Sequence, residues 1–256
     1  MKVNKEIPPS SIKPGETHVW LFDLNRPDYK QQLWERFLAE EEINRSKLYK
    51  YAQDRLRFIA RRGILRRLLG RYCVLNPAEI NYRNNPYGKL FLLSNPLSFS
   101  LSHSEDRIAF AFTLENAVGV DIEQVRPFPD ISLMVENWFS SEEQAGLFAL
   151  APEVQFEAFY HIWTQKESYL KAHGEGLTLS LKDFSVSVDP DKPGGLISFR
   201  GVSEDTYLWK TASNVPEAGW RVAVCVNSEA DINVNWYTPD LAEFLSWVTS
   251  ASDPLL

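Results

Sequence analysis

An α+β fold of two similar-sized halves is what the sequence predicts, on three observations. Each half holds one long segment of helical spacing, each holds runs in which apolar and polar residues alternate, and the turns between runs are short and polar, as between antiparallel neighbours. The order strand, long helix, strands recurs on either side of a division near Asn116, giving halves of residues 1–116 and 117–256, with no residue-level repeat between them.

His18 to Leu24 reads as the first strand, and Tyr29 to Tyr51 carries helical spacing around Leu33, Trp34, Phe37 and Leu38. A stronger helix starts at Asp54, where Leu56, Ile59, Ala60, Gly63, Ile64, Leu68 and Tyr72 recur every three or four residues until Asn76-Pro77 ends it. Asn84-Asn85-Pro86-Tyr87-Gly88 is a turn, because it joins a proline of fixed φ to a glycine free to take positive φ, and Lys89 stands at its exit. Three alternating runs follow: Phe99 and Leu101; Ile108, Phe110, Phe112 and Leu114; Val118, Val120 and Ile122. The proline-bearing stretch from Arg126 to Asp130 leads to a second helical region, whose main helix runs from about Glu153 to Ala172 and closes at His173-Gly174. Beyond it Phe184, Val186 and Val188, then Ile197 and Phe199, then Trp220, Val222, Val224 and Val226 alternate as strands of an antiparallel sheet.

A chain of 256 residues can bury a core without metals or disulfides. Its net charge of -7 argues against sequence-independent nucleic-acid binding, so any anion site must be local. The two cysteines, Cys73 and Cys225, sit in apolar runs and fit reduced thiols better than a disulfide framework. Residues Met1 to Gly15 are polar, without the apolar stretch of a signal peptide, and no later run approaches the roughly 18 apolar residues of a membrane span. A cytoplasmic protein without membrane contact is expected.

Four groups of residues carry chemistry. In Val118-Gly119-Val120-Asp121-Ile122-Glu123 the alternation of a strand puts Asp121 and Glu123 on one face, a pair suited to a hard divalent cation such as Mg²⁺; a solvated strand face is the alternative. On the helix from Glu153, the stripe Phe156, Phe159, Tyr160, Trp163 and Leu170 is continued four residues after Trp163 by Glu167, a carboxylate on or beside the buried face. Lys166 and Lys171 stand near enough in sequence to supply a partner or a phosphate contact, and an i,i+4 pair of Glu167 with Lys171 is the plainer reading. The helix from Asp54 carries Arg55, Arg57, Arg61, Arg62, Arg66, Arg67 and Arg71, either a phosphate dock or a solvated face paired to acids elsewhere. In Ser100-Leu101-Ser102-His103-Ser104, Ser102 and His103 can donate to phosphate, or close a polar hairpin; no G-x-S-x-G elbow, zinc spacing or P-loop accompanies them.

Taken in order, these segments resemble the Sfp-type phosphopantetheinyl transferases across roughly Arg45 to Leu181. The matching pieces are the arginine-rich helix, Tyr87-Gly88-Lys89, Phe99 to Ser104, Val118 to Glu123, Phe139-Ser140-Ser141-Glu142-Glu143, and Trp163-Thr164-Gln165-Lys166-Glu167-Ser168-Tyr169-Leu170-Lys171. The G-x-D-x-E strand followed some 40 residues later by W-x-x-K-E-S-x-x-K is the specific part. The resemblance implies a pseudo-two-fold monomer of two α+β halves that holds coenzyme A in the cleft between them. It also implies magnesium on Asp121, Glu123 and Glu167. By the same resemblance Lys89, Ser102, His103 and Lys171 meet the coenzyme's phosphates, and Arg45 with one or more of Arg57, Arg62 and Arg66 meets the adenosine 3′-phosphate; Lys166 is a further coenzyme-binding candidate by its place beside Glu167. Glu42 stands where well-known relatives have a lysine, and Phe58 where they have a small hydroxyl residue.

The implied reaction is attack of a carrier-protein serine on the β-phosphorus of coenzyme A, releasing adenosine 3′,5′-bisphosphate. Glu167 is the first candidate for general base and Glu143 the second, with Lys171 assisting on the leaving side. Two other classes use the same residues: a different magnesium-dependent phosphate-ester enzyme, and a non-catalytic module that binds a nucleotide or RNA through the arginine helix. The sequence does not distinguish a fatty-acid, polyketide or peptide carrier.

Overall fold

The computed structural model describes residues 11–25, 31–93, 95–176, 179–199, 208–240 and 244. The opening of the expected helical segment at Tyr29, the residues before 11 and most of the tail beyond 240 lie outside them. In chain order the elements are β1 (Glu16–Asp23), α1 (Gln31–Glu35), α2 (Glu40–Ser46), α3 (Ala52–Cys73), β2 (Tyr82–Asn84), β3 (Leu90–Leu92), β4 (Leu97–Ser104), β5 (Arg107–Leu114), β6 (Val118–Gln124), α4 (Ile131–Trp138), α5 (Ser141–Phe148), α6 (Pro152–His173), β7 (Phe184–Val186), β8 (Leu196–Phe199), β9 (Trp209–Asn214), β10 (Trp220–Asn227) and β11 (Asn233–Tyr237).

The α+β class holds. Two 22-residue helices each lie on a sheet: α3 on the sheet ordered β11-β1-β5-β4, and α6 on the antiparallel sheet β6-β10-β9. The first core gathers Ile59, Ile64, Leu65 and Leu68 of α3 against Trp20, Phe99, Phe110 and Phe112. Helix α3 stops at Val74, whose left-handed φ of 54° lets its N–H donate to Gly70 O, two residues before Asn76-Pro77. Helix α6 starts with Pro152, which needs no N–H partner there, and stops at Gly174 (φ +81°), whose N–H donates to Leu170 O. Short hairpins β2–β3 and β7–β8 complete the described sheets. No described helix is long and apolar enough to cross a membrane.

The chain departs from simple sequential pairing in two places. The division at Asn116 is crossed by the tail: β11 returns to the first sheet and pairs parallel to β1, from Glu16 opposite Asn233 to Trp20 opposite Tyr237. Phe244 then packs on Trp20, Phe22 and Trp34. The return covers an edge of β1 that would otherwise present unpaired N–H and C=O groups. Strands β5 and β6 are also not paired; β6 pairs with β10, and its outer edge is met by serine side chains of β4, Ser100 Oγ accepting from Val120 N–H at 3.2 Å. Gly119 makes the junction possible, because a Cβ there would lie 2.0 Å from Ser168 O and 2.3 Å from Ala172 N.

Candidate active site

Strand β6 and helix α6 bring the expected acids to one region. Asp121, 3% exposed, accepts at Oδ1 from Ser102 Oγ (2.7 Å) and from Lys171 Nζ (2.6 Å), and its Oδ2 is buried with no partner among the described residues. Two residues on, Glu123 Oε2 accepts from Ser104 Oγ at 2.7 Å. Burial first, and then the charge of Asp121, push the Glu123 carboxyl up to about 7 against the pull of Ser104 and Lys171. Glu167 has no hydrogen bond or ion pair among the described residues. Burial and then Asp121 raise its carboxyl, with Lys171 opposing. The three acids therefore repel one another while one buried oxygen lacks a partner, which fits a divalent cation bound by carboxylate oxygens. They are not drawn onto a single point: among the described residues no three acidic, imidazole or thiol groups stand at ligating spacing, and Lys171 supplies the cation beside Asp121.

Glu167 and Lys171 line a cavity of about 570 Å³ between the halves. Its other walls are Arg45 and Arg62, the turn Tyr87-Gly88-Lys89, and Phe99 to Leu101. Clefts of a few hundred cubic ångströms suit a nucleotide-sized ligand. A smaller recess of about 160 Å³ shares Arg45, Arg62 and Leu101 with it and adds Arg61, Phe58 and His103. The guanidinium groups of Arg45 and Arg62 each lie 5.6 Å from the centre of the Phe58 ring, so this large side chain is a platform for two cations. His103 is pushed down to about 4 by loss of hydration and then by Arg61, Lys171 and Arg57, the sign of a cation-rich surface.

Other expected contacts are redirected. Glu143 and Lys166 are fully buried, with Lys166 Nζ 2.8 Å from Glu143 Oε2 and 2.6 Å from both Leu181 O and Phe184 O. Glu143 also accepts from the N–H groups of Ser140 and Val186, both at 2.8 Å. With every polar atom engaged away from the cavity, Glu143 is unsuited to be the base and Lys166 to meet phosphate. Arg66 donates to Glu42 and to Pro77 O and Ile80 O, and Tyr82 donates to the same carboxylate. Glu42 thus occupies Arg66. Arg57 is held by Asp106 at 2.7 and 2.8 Å. Of the arginines singled out, Arg45 and Arg62 face the cavity, and Arg61 lines only the smaller recess beside it. The roles of Ser100 and Ser104 were missed, although their i,i+2,i+4 spacing with Ser102 on β4 already put all three on one face.

The family model of the 4′-phosphopantetheinyl transferase superfamily matches residues 117–225, which contain β6 and α6. The 4′-phosphopantetheinyl transferase HetI of Nostoc sp. is 30% identical over 224 residues, 86% of this chain and 91% of that protein. The transferases ffp and Sfp of Bacillus subtilis are 31% and 29% identical, each over 191 residues, 74% of this chain and 82% of theirs. The likeness to HetI runs through both walls of the cleft and not only through the strand and helix that carry the acids, and on that extent the chain belongs to the 4′-phosphopantetheinyl transferase superfamily.

Proposed function

We propose that the cleft lined by Arg45, Arg62, Glu167 and Lys171 holds coenzyme A while its phosphopantetheine arm passes to a serine of an apo carrier protein. The observation that carries this reading is the pairing of walls: Glu167 and Lys171, one turn apart on α6, face two arginines across a nucleotide-sized space. The carrier's serine oxygen forms a bond to the β-phosphorus, the anhydride bond to the α-phosphate breaks, and adenosine 3′,5′-bisphosphate leaves. Arg45 and Arg62 hold the phosphate-rich end through guanidinium forks, with His103 as a neutral hydrogen-bond donor beside them.

Asp121, Glu123 and Glu167 would hold Mg²⁺, a fit supported by the orphan oxygen of Asp121 and by the mutual repulsion of the three acids. When bound, the ion neutralises charge on the diphosphate. Glu167, the one acid of the three that lines the cavity, takes the serine proton at its carboxylate. Lys171 leaves Asp121 for the leaving phosphate and offsets the charge that develops there. Free Cys73 and Cys225 support a reducing, cytoplasmic setting, and we read the enzyme as a monomer.

The test is incubation of the purified protein with coenzyme A, Mg²⁺ and an apo carrier protein, followed by intact-mass measurement. The carrier gains the mass of the arm, with one equivalent of adenosine 3′,5′-bisphosphate, and a chelator stops both. Turnover of the nucleotide without a carrier product would point to a different phosphate-ester enzyme, and absence of both products to a binding module.

A further inference from the structure

Lys89, expected from the sequence to meet phosphate, reaches across the cleft instead. Its Nζ donates to Ala172 O at 2.8 Å and to Val118 O at 3.2 Å. Ala172 is in the last turn of α6, where carbonyl groups have no partner within the helix, and Val118 is the first residue of β6. A lysine head at a helix C-terminus satisfies such carbonyls and meets the negative end of the helix dipole. The same hairpin makes a second bond there: Asn85 Nδ2 donates to Gly174 O at 2.6 Å, while Asn85 Oδ1 accepts from the N–H groups of Tyr87 and Lys89, both at 2.9 Å. One side chain thus shapes the turn and ties it to the helix end. A Cβ at Gly174 would lie 3.0 Å from Lys89 Cδ, so the lysine stem runs against the helix cap. Burial pushes the ammonium down to about 8, the expected response of a cation desolvated between carbonyl groups with no carboxylate partner among the described residues.

We propose that Lys89 is a positioning residue that clasps the β2–β3 hairpin to the junction of β6 and α6, and so fixes the offset between Asp121 and the Glu167–Lys171 pair. The residues it holds are close neighbours of those that meet at 2.6 Å: Ala172 follows Lys171 directly, and Val118 is three residues before Asp121. A shift of either element at the clasp therefore reaches the contact almost undiminished. The clasp also sets one wall of the cavity, where Tyr87 and Gly88 face Gly174 and Gly176. Its catalytic consequence rests on the function proposed above; its structural part does not.

The experiment uses the full chain with Lys89→Met, which keeps the stem and removes the donors, and reads amide hydrogen exchange alongside transfer kinetics. Exchange in residues 85–90 and 170–176 should rise about 10-fold or more while β5 keeps its protection. With wild-type transfer established, kcat should fall about 10-fold and KM for coenzyme A stay within about twofold. Unchanged exchange in both segments would overturn the proposal, as would a KM for coenzyme A raised about 10-fold at full kcat, the pattern of a phosphate ligand. Asn85→Ala, which removes the neighbouring bond, gives a milder second reading: the same two segments loosen if the clasp exists and stay protected if it does not. A wild type that fails to modify any carrier would sink the transferase reading, and the exchange data would still judge the clasp.

Discussion

Lys171 Nζ lies 2.6 Å from Asp121 Oδ1, on the same oxygen that Ser102 Oγ meets at 2.7 Å, so one oxygen of this buried carboxylate takes both donors and the other has no partner among the described residues. Glu167, a turn before Lys171, faces the cavity without a partner of its own among the described residues. Glu167→Gln keeps its shape and removes the basic oxygen. Transfer should fall by about 10² to 10⁴ in kcat. Initial rates of carrier mass gain measure this, with a thermal melt to show that the fold is kept, and wild-type kcat in the variant would remove Glu167 from the chemistry.

The buried pair of Glu143 and Lys166 should behave in the opposite way. Lys166→Met leaves Glu143 charged, unpaired and fully enclosed, and should cost about 3–5 kcal/mol of stability in urea unfolding. Glu143→Gln should likewise weaken the fold, yet the folded fraction should turn over near the wild-type rate. A stable Glu143→Gln protein with its kcat reduced about 100-fold would restore Glu143 as the base.

What could be read in advance follows from how local each signal is. Asp121 and Glu123 were legible because strand alternation alone puts them on one face, and Glu167 because it interrupts an apolar stripe. The burial of Lys166 was not, because α6 is packed on more than one side: Thr164, Gln165, Lys166 and Ser168 are all buried, so its polar positions do not mark a solvated face. Strands β9 and β11 were missed as well. Trp209–Asn214 and Asn233–Tyr237 are short and polar-rich, and each is made a strand by a distant partner, β10 and β1 respectively. The clasp of Lys89 depends on main-chain carbonyl groups 29 and 83 residues away, which side-chain chemistry in a sequence does not announce.

Gly119 should tolerate no side chain. The Cβ of alanine would meet Ser168 O at 2.0 Å and Ala172 N at 2.3 Å, both backbone atoms of α6 that cannot move singly. Gly119→Ala should lose about 3 kcal/mol or more, read as a lowered urea midpoint. An unchanged midpoint would mean that β6 and α6 are farther apart than described.

Ser104 steadies Glu123 and lowers its carboxyl against burial. Without the hydroxyl the carboxylate is freer to turn and more readily protonated, so Ser104→Ala should raise the Mg²⁺ concentration for half-maximal transfer about 10-fold. A magnesium titration at pH 7 checks it. The same titration curve as wild type would show that Ser104 plays no part in orienting the acid.

His161 makes the fold sensitive to acid. It is fully buried on α6, both ring nitrogens lack a partner among the described residues, and burial, reinforced by Arg221 and opposed by Asp189, pushes it down to about 4. An unfolded histidine takes its proton near 6.5, so between pH 6.5 and 4 the unfolded chain binds a proton that the fold refuses, and stability falls as pH falls. A difference of this size corresponds to about 3 kcal/mol at full extent, with no contribution above about pH 7. His161→Leu removes two unpartnered polar atoms and the titrating group together. Its unfolding free energy should therefore fall less steeply than wild type from pH 7 to 4.5 in urea titrations, and parallel curves would show that His161 is not the group that resists protonation.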